Sequence, residues 1–338
     1  MRRELDRRFV LGGVGALGLA GCYRREEPQA QEKAQDLHLT DLEQQSGGRL
    51  GLAAMDVASG RRALWRAQER FPFCSTFKAF LAAATLQRVQ RGEEQLERRV
   101  RVTEADMIPH APVTGPAVGG ALSIRELMQA TVELSDNPAA NILIREMGGL
   151  AVWRQWWPAF GDTTTLISRL EPELNTAVAN DPRDTCLPEQ TLANIRLMAF
   201  SDRLTPDHDA LLQGWLVASP TGPKRLKAAA PEGWTVAHKT GTGENGTAND
   251  IGMLIPVSGA PVLMAVYLTG ATQATEEQRD AVIADGARRA FEHHPGGGQV
   301  IAEAVLQDVA AGQPRRKGKA PQPPPVGVDL TRLVDRAG

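Results

Sequence analysis

Strand-like sequence lies near both ends of this 338-residue chain, and helical patterns fill the stretch between them. The apolar-rich runs 50–57 and 61–66, separated by the turn residues Ala58-Ser59-Gly60, predict a β-hairpin. Further strand-like runs occupy 235–242, 250–255 and 262–269, and a helical pattern follows over 275–291. Strands at both ends must share one core. We therefore predict an antiparallel sheet, flanked by helices and built from both termini.

The middle of the chain is predicted to be helical from about 75 to 226. Apolar residues recur there at the helical spacing, most clearly over 124–132, 138–147, 152–160 and 188–199. No run of strict alternation interrupts this pattern. We therefore predict an α/β fold of the α+β kind whose domain, 41–295, combines an α/β part (41–74 and 227–295) with an inserted all-helical part. A functional site is expected in the cleft between the two parts.

The first 21 residues have the pattern of an export signal. Arg7 and Arg8 precede a short, apolar, glycine-rich stretch that ends at Ala20, and the paired arginines indicate the twin-arginine route. The stretch continues into Leu19-Ala20-Gly21-Cys22, which resembles a bacterial lipoprotein box. We expect a periplasmic protein anchored in the membrane through lipidated Cys22. A simple cleaved signal with an unmodified Cys22 is the alternative.

The segments beside the predicted domain are polar. Residues 22–40 are rich in Glu, Arg, Gln and Ala and predict a tether, and the Pro-, Lys- and Arg-rich residues 313–325 predict a flexible extension over 296–338. Lys plus Arg number 38 against 40 Asp plus Glu, so the net charge of −2 gives no reason to expect a nucleic-acid partner. A small-molecule substrate and a monomer are expected.

The chain contains Ser75-Thr76-Phe77-Lys78 at the start of a helical pattern. A three-residue spacing on a helix puts Ser75 and Lys78 on one face, where the amine can reach the hydroxyl. The positive end of the helix also favours an oxyanion that develops at Ser75. Ser75 is the candidate nucleophile. Alone, a Ser-x-x-Lys pattern is common by chance and favours an ordinary core helix without a site.

Two further motifs follow in order, Ser135-Asp136-Asn137 and Lys239-Thr240-Gly241. Ser135 is placed to pass a proton to a leaving nitrogen, and Asn137 has the donor and acceptor that an acylamino side chain requires. Asp136 is expected to anchor its loop. Lys239, with the hydroxyls of Thr240 and Thr242, is expected to receive a substrate carboxylate, and the backbone N–H groups of Ser75 and Thr242 to form an oxyanion hole.

This ordered trio is known from class A β-lactamases and penicillin-binding proteins. The chain resembles a class A serine β-lactamase over about 41–292, and the deciding segment, Arg169-Leu170-Glu171-Pro172-Glu173-Leu174-Asn175, is similar to the family's omega loop. The resemblance implies that Glu171 activates the deacylating water, that Asn175 is its partner, and that Arg169 and Asp184 close the loop as an ion pair. Both Lys78 and Glu171 are candidates for the acylation base.

The activity that the resemblance implies is hydrolysis of penicillins and cephalosporins through a Ser75 acyl-enzyme, which confers antibiotic resistance and needs no cofactor. The six histidines do not form an H-x-H-x-D zinc pattern, which excludes a metallo-β-lactamase. A D,D-peptidase with slow deacylation is one alternative. A catalytically silent, wall-binding lipoprotein is another, although no catalytic position is substituted.

Two positions depart from the common family pattern. An arginine often follows the Lys239 strand, but the matching segment here is Thr247-Ala248-Asn249-Asp250, with alanine. The resemblance implies that Arg225 supplies this charge instead, a surface cation being the alternative. His110 stands where the family usually has an aromatic gate residue, and an exposed ring without a function is its alternative.

Cys74 precedes the serine, as in class A carbapenemases, which pair this cysteine with one just after the Thr that follows their KTG. Gly243 occupies that second place, so the disulfide of those enzymes is missing and carbapenem hydrolysis is not expected from the resemblance. Cys74 and Cys186 could pair with each other in an exported protein if their Cβ atoms lie close together, but we expect two free thiols. The small Gly243 beside Thr242 is compatible with the use of a broad range of cephalosporins.

Overall fold

The computed structural model describes residues 35–292. The predicted export signal, Cys22 and the extension over 296–338 lie outside the described residues. The strands are Gln35–Asp36 (β1), Arg49–Asp56 (β2), Arg62–Trp65 (β3), Phe71–Pro72 (β4), Arg99–Arg101 (β5), Ala121–Ser123 (β6), Thr185–Cys186 (β7), Thr235–Gly243 (β8), Thr247–Ile255 (β9) and Val262–Thr269 (β10).

The helices lie between these strands along the chain, and the last one follows β10. They are Thr40–Ser46 (α1), Phe77–Gln90 (α2), Ile124–Glu133 (α3), Asn137–Glu146 (α4), Leu150–Phe160 (α5), Pro188–Phe200 (α6), Pro206–Ala218 (α7), Leu226–Ala229 (α8) and Glu276–Glu292 (α9). Within the part of the chain that the structure describes, no helix is both long and apolar enough to cross a membrane.

A six-stranded sheet forms the centre, in the order β1-β3-β2-β10-β9-β8. β2 from the first part of the chain pairs antiparallel with β10 from the last part, and Leu50 lies opposite Leu268. β10 continues antiparallel into β9, and β9 into β8. The prediction of an antiparallel sheet built from both termini and flanked by helices is confirmed.

Both faces of the sheet are covered, because successive residues of a strand point to opposite sides. On β2, Leu52 belongs to the core cluster that includes residues of α1 and α9, whereas Ala53 belongs to the cluster that includes residues of α2 and α3. This double burial explains why the strands read as almost continuous apolar runs. The edge strand β8 carries the Lys239 motif, so this motif lies at the border of the sheet.

Two details differ from the sequence predictions. The tether expected over 22–40 ends earlier, because β1 pairs parallel with β3 and both Leu37 and Leu39 are buried. The predicted helical part also contains strands, since β5 pairs with β6, and β7 pairs with β4. Strands of two or three residues are too short to establish an alternating pattern, which is why the sequence did not indicate them.

Candidate active site

Ser75 lies in the single 3₁₀ turn Cys74–Thr76 that leads into α2, and its side chain is almost buried, with 8% of the residue exposed. The turn is fixed by Thr76, whose N–H and hydroxyl both donate to Phe73 O. Asn249 of β9 donates from Nδ2 to Pro72 O (2.9 Å) and Phe73 O (3.1 Å). The nucleophile candidate is therefore held from both the helix and the sheet.

Lys78 is fully buried within the first turn of α2. Its Nζ donates to Asn137 Oδ1 (2.5 Å) and Ser135 O (2.7 Å), and it lies 3.0 Å from Glu171 Oε1. Burial lowers the pKa of this ammonium below its ordinary value, and the negative charge of Glu171 opposes that shift. A lysine in this state can release and recover a proton.

Glu171 faces the same hydroxyl, and only 2% of the residue is exposed. Its Oε1 accepts a hydrogen bond from Ser75 Oγ (3.3 Å), and its Oε2 accepts one from Asn175 Nδ2. Asn141 of α4 clamps the backbone of Glu171, because Asn141 Nδ2 donates to Glu171 O (2.8 Å) and Glu171 N donates to Asn141 Oδ1 (3.1 Å). The carboxylate is thus fixed at both its oxygens and its main chain.

The loop that carries Glu171 is closed at its base by a buried carboxylate. Asp184 Oδ2 lies 2.5 Å from Arg169 Nε, and Asp184 Oδ1 accepts the backbone N–H groups of Ser168 (2.7 Å) and Arg169 (3.0 Å). Arg169 NH1 also donates to Thr176 Oγ1 at 2.9 Å. These contacts join the two ends of the loop around the segment that contains Glu171.

Ser135 stands between the two buried lysines. Its Oγ accepts from Lys239 Nζ (3.1 Å) and Lys78 Nζ (3.4 Å). The next residue, Asp136, points away from the cleft: its fully buried carboxylate accepts the N–H groups of Val113 and Thr114 (2.9 Å each) and caps the start of α4. Asp136 therefore holds the loop that presents Ser135.

His110 and Asn137 join two loops at the rim. Asn137 N donates to His110 O (3.0 Å), and Asn137 Nδ2 donates to Pro109 O (2.9 Å). The exposed ring of His110 places Nε2 2.9 Å from Leu134 O. Because a carbonyl oxygen only accepts, Nε2 carries the proton of this bond. The ring is tied to the residue before Ser135 rather than hanging free in solvent.

The opposite wall is β8. Lys239 is fully buried and also donates to Thr240 O at 3.0 Å, whereas Thr242 is exposed. Burial and the nearby charge of Lys78 lower the pKa of Lys239 well below its ordinary value. Thr240 Oγ1 donates to Thr221 Oγ1 at 2.8 Å, which links β8 to the segment before α8.

Arg225 is 3% exposed, which contradicts the alternative of a surface cation. Its guanidinium runs along β8, where NH1 donates to Gly241 O (3.0 Å) and NH2 to Thr242 Oγ1 (3.1 Å). The other side is held by Asp280 of α9, whose Oδ1 lies 2.6 Å from Arg225 Nε. A positive charge is thereby delivered to the same strand position as the hydroxyl of Thr242.

Cys74 and Cys186 are buried free thiols, as the sequence predicted. Burial raises the pKa of Cys186 to about 11 and also raises that of Cys74. A Cβ built on Gly243 would lie 2.6 Å from Cys74 Sγ and 2.7 Å from Asn175 O, so this position is closed to a larger residue unless its neighbours move.

Three contributing residues were not identified from the sequence: Asn141, Asn249 and Asp280. Asn141 carries the clearest signal, because it follows Asn137 by four residues and therefore shares its helix face. Asp280 gives no local signal, since its partner Arg225 lies in another part of the chain. Among residues 35–292, no group of three or more His, Cys, Asp or Glu side chains could hold a metal ion.

Known proteins are similar to this chain in sequence and in fold. A sequence model described as the Beta-lactamase enzyme family matches residues 32–294. A carbapenem-hydrolyzing β-lactamase, KPC, of Klebsiella oxytoca is 40% identical over 252 residues, which are 74% of this chain and 86% of the relative. The β-lactamase CTX-M-8 of Citrobacter amalonaticus is 38% identical over 268 residues, which are 79% of this chain and 90% of the relative.

A solved structure is similar over the same region. The reconstructed class A β-lactamase of the last common ancestor of Gram-negative bacteria is 46% identical, with a TM-score of 0.73, and the match covers 79% of this chain and 97% of that one. Ser75, Lys78, Ser135 and Glu171 converge within this shared fold, as described above. The chain therefore belongs to the class A β-lactamase family, the serine enzymes that hydrolyse the β-lactam ring and so confer antibiotic resistance.

Proposed function

We propose that Ser75 is the nucleophile that opens the β-lactam ring. The Ser75 hydroxyl proton passes to the Glu171–Lys78 pair as Oγ bonds to the carbonyl carbon, and the backbone N–H groups of Ser75 and Thr242 stabilise the oxyanion. The C–N bond then breaks, and the nitrogen takes a proton that Lys78 delivers through Ser135. The 3.4 Å between Lys78 Nζ and Ser135 Oγ supports this route.

Deacylation is assigned to Glu171 and Asn175. Glu171 takes a proton from a water molecule whose oxygen bonds to the ester carbon, the bond from that carbon to Ser75 Oγ breaks, and Ser75 recovers a proton. The single observation that carries this assignment is the position of Glu171 Oε1, 3.3 Å from Ser75 Oγ and 3.0 Å from Lys78 Nζ. A base held beside the ester distinguishes a β-lactam hydrolase from a penicillin-binding peptidase, whose acyl-enzyme is long-lived.

Substrate binding is assigned to both walls of the cleft. Asn137 binds the acylamino side chain, and His110 borders the entrance. The β-lactam carboxylate is received by Lys239, Thr240, Thr242 and Arg225 beside Gly241, and the contact of Arg225 with Thr242 supports this grouping. We propose penicillins and cephalosporins as the substrates, hydrolysed by a monomer without a cofactor. Arg169 and Asp184 have a structural role, since their ion pair closes the loop that carries Glu171.

We also propose how this protein reaches its substrates. Class A β-lactamases are generally exported, and the Arg7-Arg8 pair with the following apolar stretch supports export through the twin-arginine route. The Leu19-Ala20-Gly21-Cys22 segment supports lipidation of Cys22 and a periplasmic, membrane-anchored protein. The catalytic domain, expected from the sequence over 41–295, includes β1 and the buried Leu37 and Leu39 and therefore begins by residue 35. A signal over 1–21 precedes it, and the extension over 296–338 follows it.

The test of the mechanism is Glu171→Gln, which keeps the shape of the side chain and removes the base. With benzylpenicillin, mass spectrometry should show a stable adduct on Ser75, because Lys78 remains to support acylation while deacylation stops. Ser75→Ala should form no adduct and hydrolyse no nitrocefin. Rapid turnover by Glu171→Gln would remove Glu171 from its assigned part, and nitrocefin hydrolysis by Ser75→Ala at the unaltered rate would refute the nucleophile.

A further inference from the structure

A buried His–Asp pair lies beside the active site and takes no part in the proposed reaction steps. His238 of β8 and Asp250 of β9 are both fully buried. His238 Nδ1 lies 2.9 Å from each carboxylate oxygen of Asp250. Because an ionised carboxylate only accepts, Nδ1 carries the proton of this bond. His238 Nε2 has no hydrogen-bond partner among the described residues.

The pair lies behind the wall that holds Lys239. His238 directly precedes Lys239 on β8, and successive strand residues point to opposite faces. The two side chains therefore leave the strand on opposite sides, Lys239 toward Ser135 and His238 toward Asp250. A displacement of His238 moves the backbone from which Lys239 projects.

Asp250 extends the connection to Arg225. Its Oδ2 accepts the backbone N–H of Leu226, the residue that follows Arg225, at 3.1 Å. Arg225 NH1 also donates to the carbonyl oxygen of Asn249, the residue before Asp250, at 2.9 Å. One carboxylate therefore ties together the strand that carries Lys239 and the segment that carries Arg225.

The space around the pair is closely fitted. Gly252 lies opposite His238 in the β8–β9 ladder. A Cβ built on Gly252 would lie 2.2 Å from Ala237 O and 2.9 Å from His238 Cβ. Since any larger residue would displace β8 at His238, the glycine lets the two strands approach and fixes where the ring lies.

The charge of Asp250 acts on the active site as well. Burial, and next the charge of Lys78, lower the pKa of Lys239, whereas the negative charge of Asp250 favours the ammonium form. A cation that receives a carboxylate must keep its proton. Asp250 thus supports both the position and the charge of Lys239.

We propose that His238 and Asp250 are positioning residues for recognition of the substrate carboxylate: from the face of β8 opposite the Lys239 side chain, the pair sets the mutual placement of Lys239 and Arg225. This inference rests on the proposed assignment of Lys239 and Arg225 as carboxylate receivers. The pair touches no reacting atom, so its loss affects binding of the carboxylate more than the chemical steps.

Three substitutions in the full chain separate the contributions. His238→Leu removes the donor to Asp250, His238→Asn keeps an amide donor near the place of Nδ1, and Asp250→Asn keeps the size of the side chain and removes its charge. For each variant, kcat and KM are measured with benzylpenicillin and with its methyl ester, in which the carboxylate is blocked. The readout is the ratio of the two kcat/KM values, acid to ester.

His238→Leu and Asp250→Asn should lower the acid-to-ester ratio about tenfold, the equivalent of one lost hydrogen bond to a charged group. The loss should lie mainly in KM for the acid. His238→Asn should restore the ratio to within about twofold of the parent, because the donor that holds Asp250 is retained. Should His238→Leu fail to fold, the contrast between Asp250→Asn and His238→Asn tests the same statement.

Ile283→Ala is the matched control, because Ile283 is a buried residue of α9 that contributes to the core on this side of the sheet. It should lower the melting temperature and leave the acid-to-ester ratio unchanged. A parental ratio in Asp250→Asn, or equal impairment of His238→Asn and His238→Leu, would overturn the inference. Lys239→Ala and Arg225→Ala test the assignment of these two residues as carboxylate receivers separately from the positioning by His238 and Asp250. If neither variant changes the acid-to-ester ratio, the assignment fails, and the inference fails with it.

Discussion

At the scale of single residues, the catalytic centre depends on polar groups that have been removed from water. Lys78 and Glu171 are both buried, and each is the other's charge partner at 3.0 Å. Burial of an isolated charge is costly, so such groups persist only where partners surround them. Asn137 and Asn175 are such partners, because Asn137 Oδ1 accepts from the Lys78 ammonium and Asn175 Nδ2 donates to the Glu171 carboxylate. Asn141 holds the backbone of Glu171 instead.

Asn141→Ala tests the support of Glu171. The substitution removes both hydrogen bonds to the Glu171 backbone, so the carboxylate loses the main-chain support that aligns it with Ser75. We expect the deacylation rate to fall about tenfold to a hundredfold, the effect of a catalytic group misplaced by about 1 Å. Rapid-quench mass spectrometry measures the two steps separately, and acylation in the same variant is the control. Acylation should fall less, because Lys78 remains beside Ser75 to support it. An unaltered deacylation rate would contradict the support of Glu171 by Asn141.

At the scale of elements, the Glu171 loop has little regular structure and depends on its closure by Asp184. The loop contains one 3₁₀ turn, Glu173–Asn175. Asp184 is fully buried, whereas the Arg169 side chain keeps 20% of its surface exposed. A change at Asp184 therefore acts on a segment that carries Glu171, the proposed deacylation base, but neither Ser75 nor Lys78.

Asp184→Asn removes the charge from this closure and keeps the side-chain size. We expect the closed conformation of the loop to be less stable by about 1.5–3 kcal/mol, the usual contribution of a hydrogen bond to a charged group. Steady-state turnover of benzylpenicillin should then become limited by deacylation, with a burst in the first turnover. Glu173→Gln, the same change at an exposed carboxylate of the same loop, is the control and should show no burst. Absence of a burst in Asp184→Asn would show that the loop closes without the charge.

The elements also explain what the sequence could and could not predict. Ser75, Lys78, Ser135 and Asn137 form short motifs, so their spacing on a helix or loop already indicated shared faces. Arg225 could be identified only through the family resemblance. Asp280 could be identified only from the folded structure, because α9 meets the segment before α8 only when the sheet has formed. Two- and three-residue strands such as β4 and β5 are determined by tertiary pairing and leave no periodic signal.

At the scale of the whole molecule, the cleft is built at a cost in stability. Lys239 is fully buried, and its pKa is lowered well below 10.5. In the pH range between that lowered value and 10.5, the unfolded chain binds the proton more strongly than the folded chain does. Stability therefore increases with pH across this range and decreases as the pH falls through it.

Lys239→Met should remove this penalty. We expect the free energy of unfolding of the variant at pH 7 to exceed that of the parent by about 1–2 kcal/mol, a typical gain when a destabilising active-site group is replaced. The difference should shrink as the pH rises toward 10.5, while β-lactam turnover is lost at every pH. Urea unfolding at pH 7 and pH 9.5 measures it. A parent that is the more stable protein at pH 7 would contradict the expected cost of the buried ammonium.

The first and last helices of the described chain lie side by side. Arg289 of α9 donates two hydrogen bonds to the carboxylate of Asp41 in α1. A domain whose entry and exit are adjacent can be spliced as a guest into a surface loop of another protein without stretching its host. Growth on a β-lactam would then report whether the host accepts the guest, so this fold is suited to serve as a selectable folding reporter.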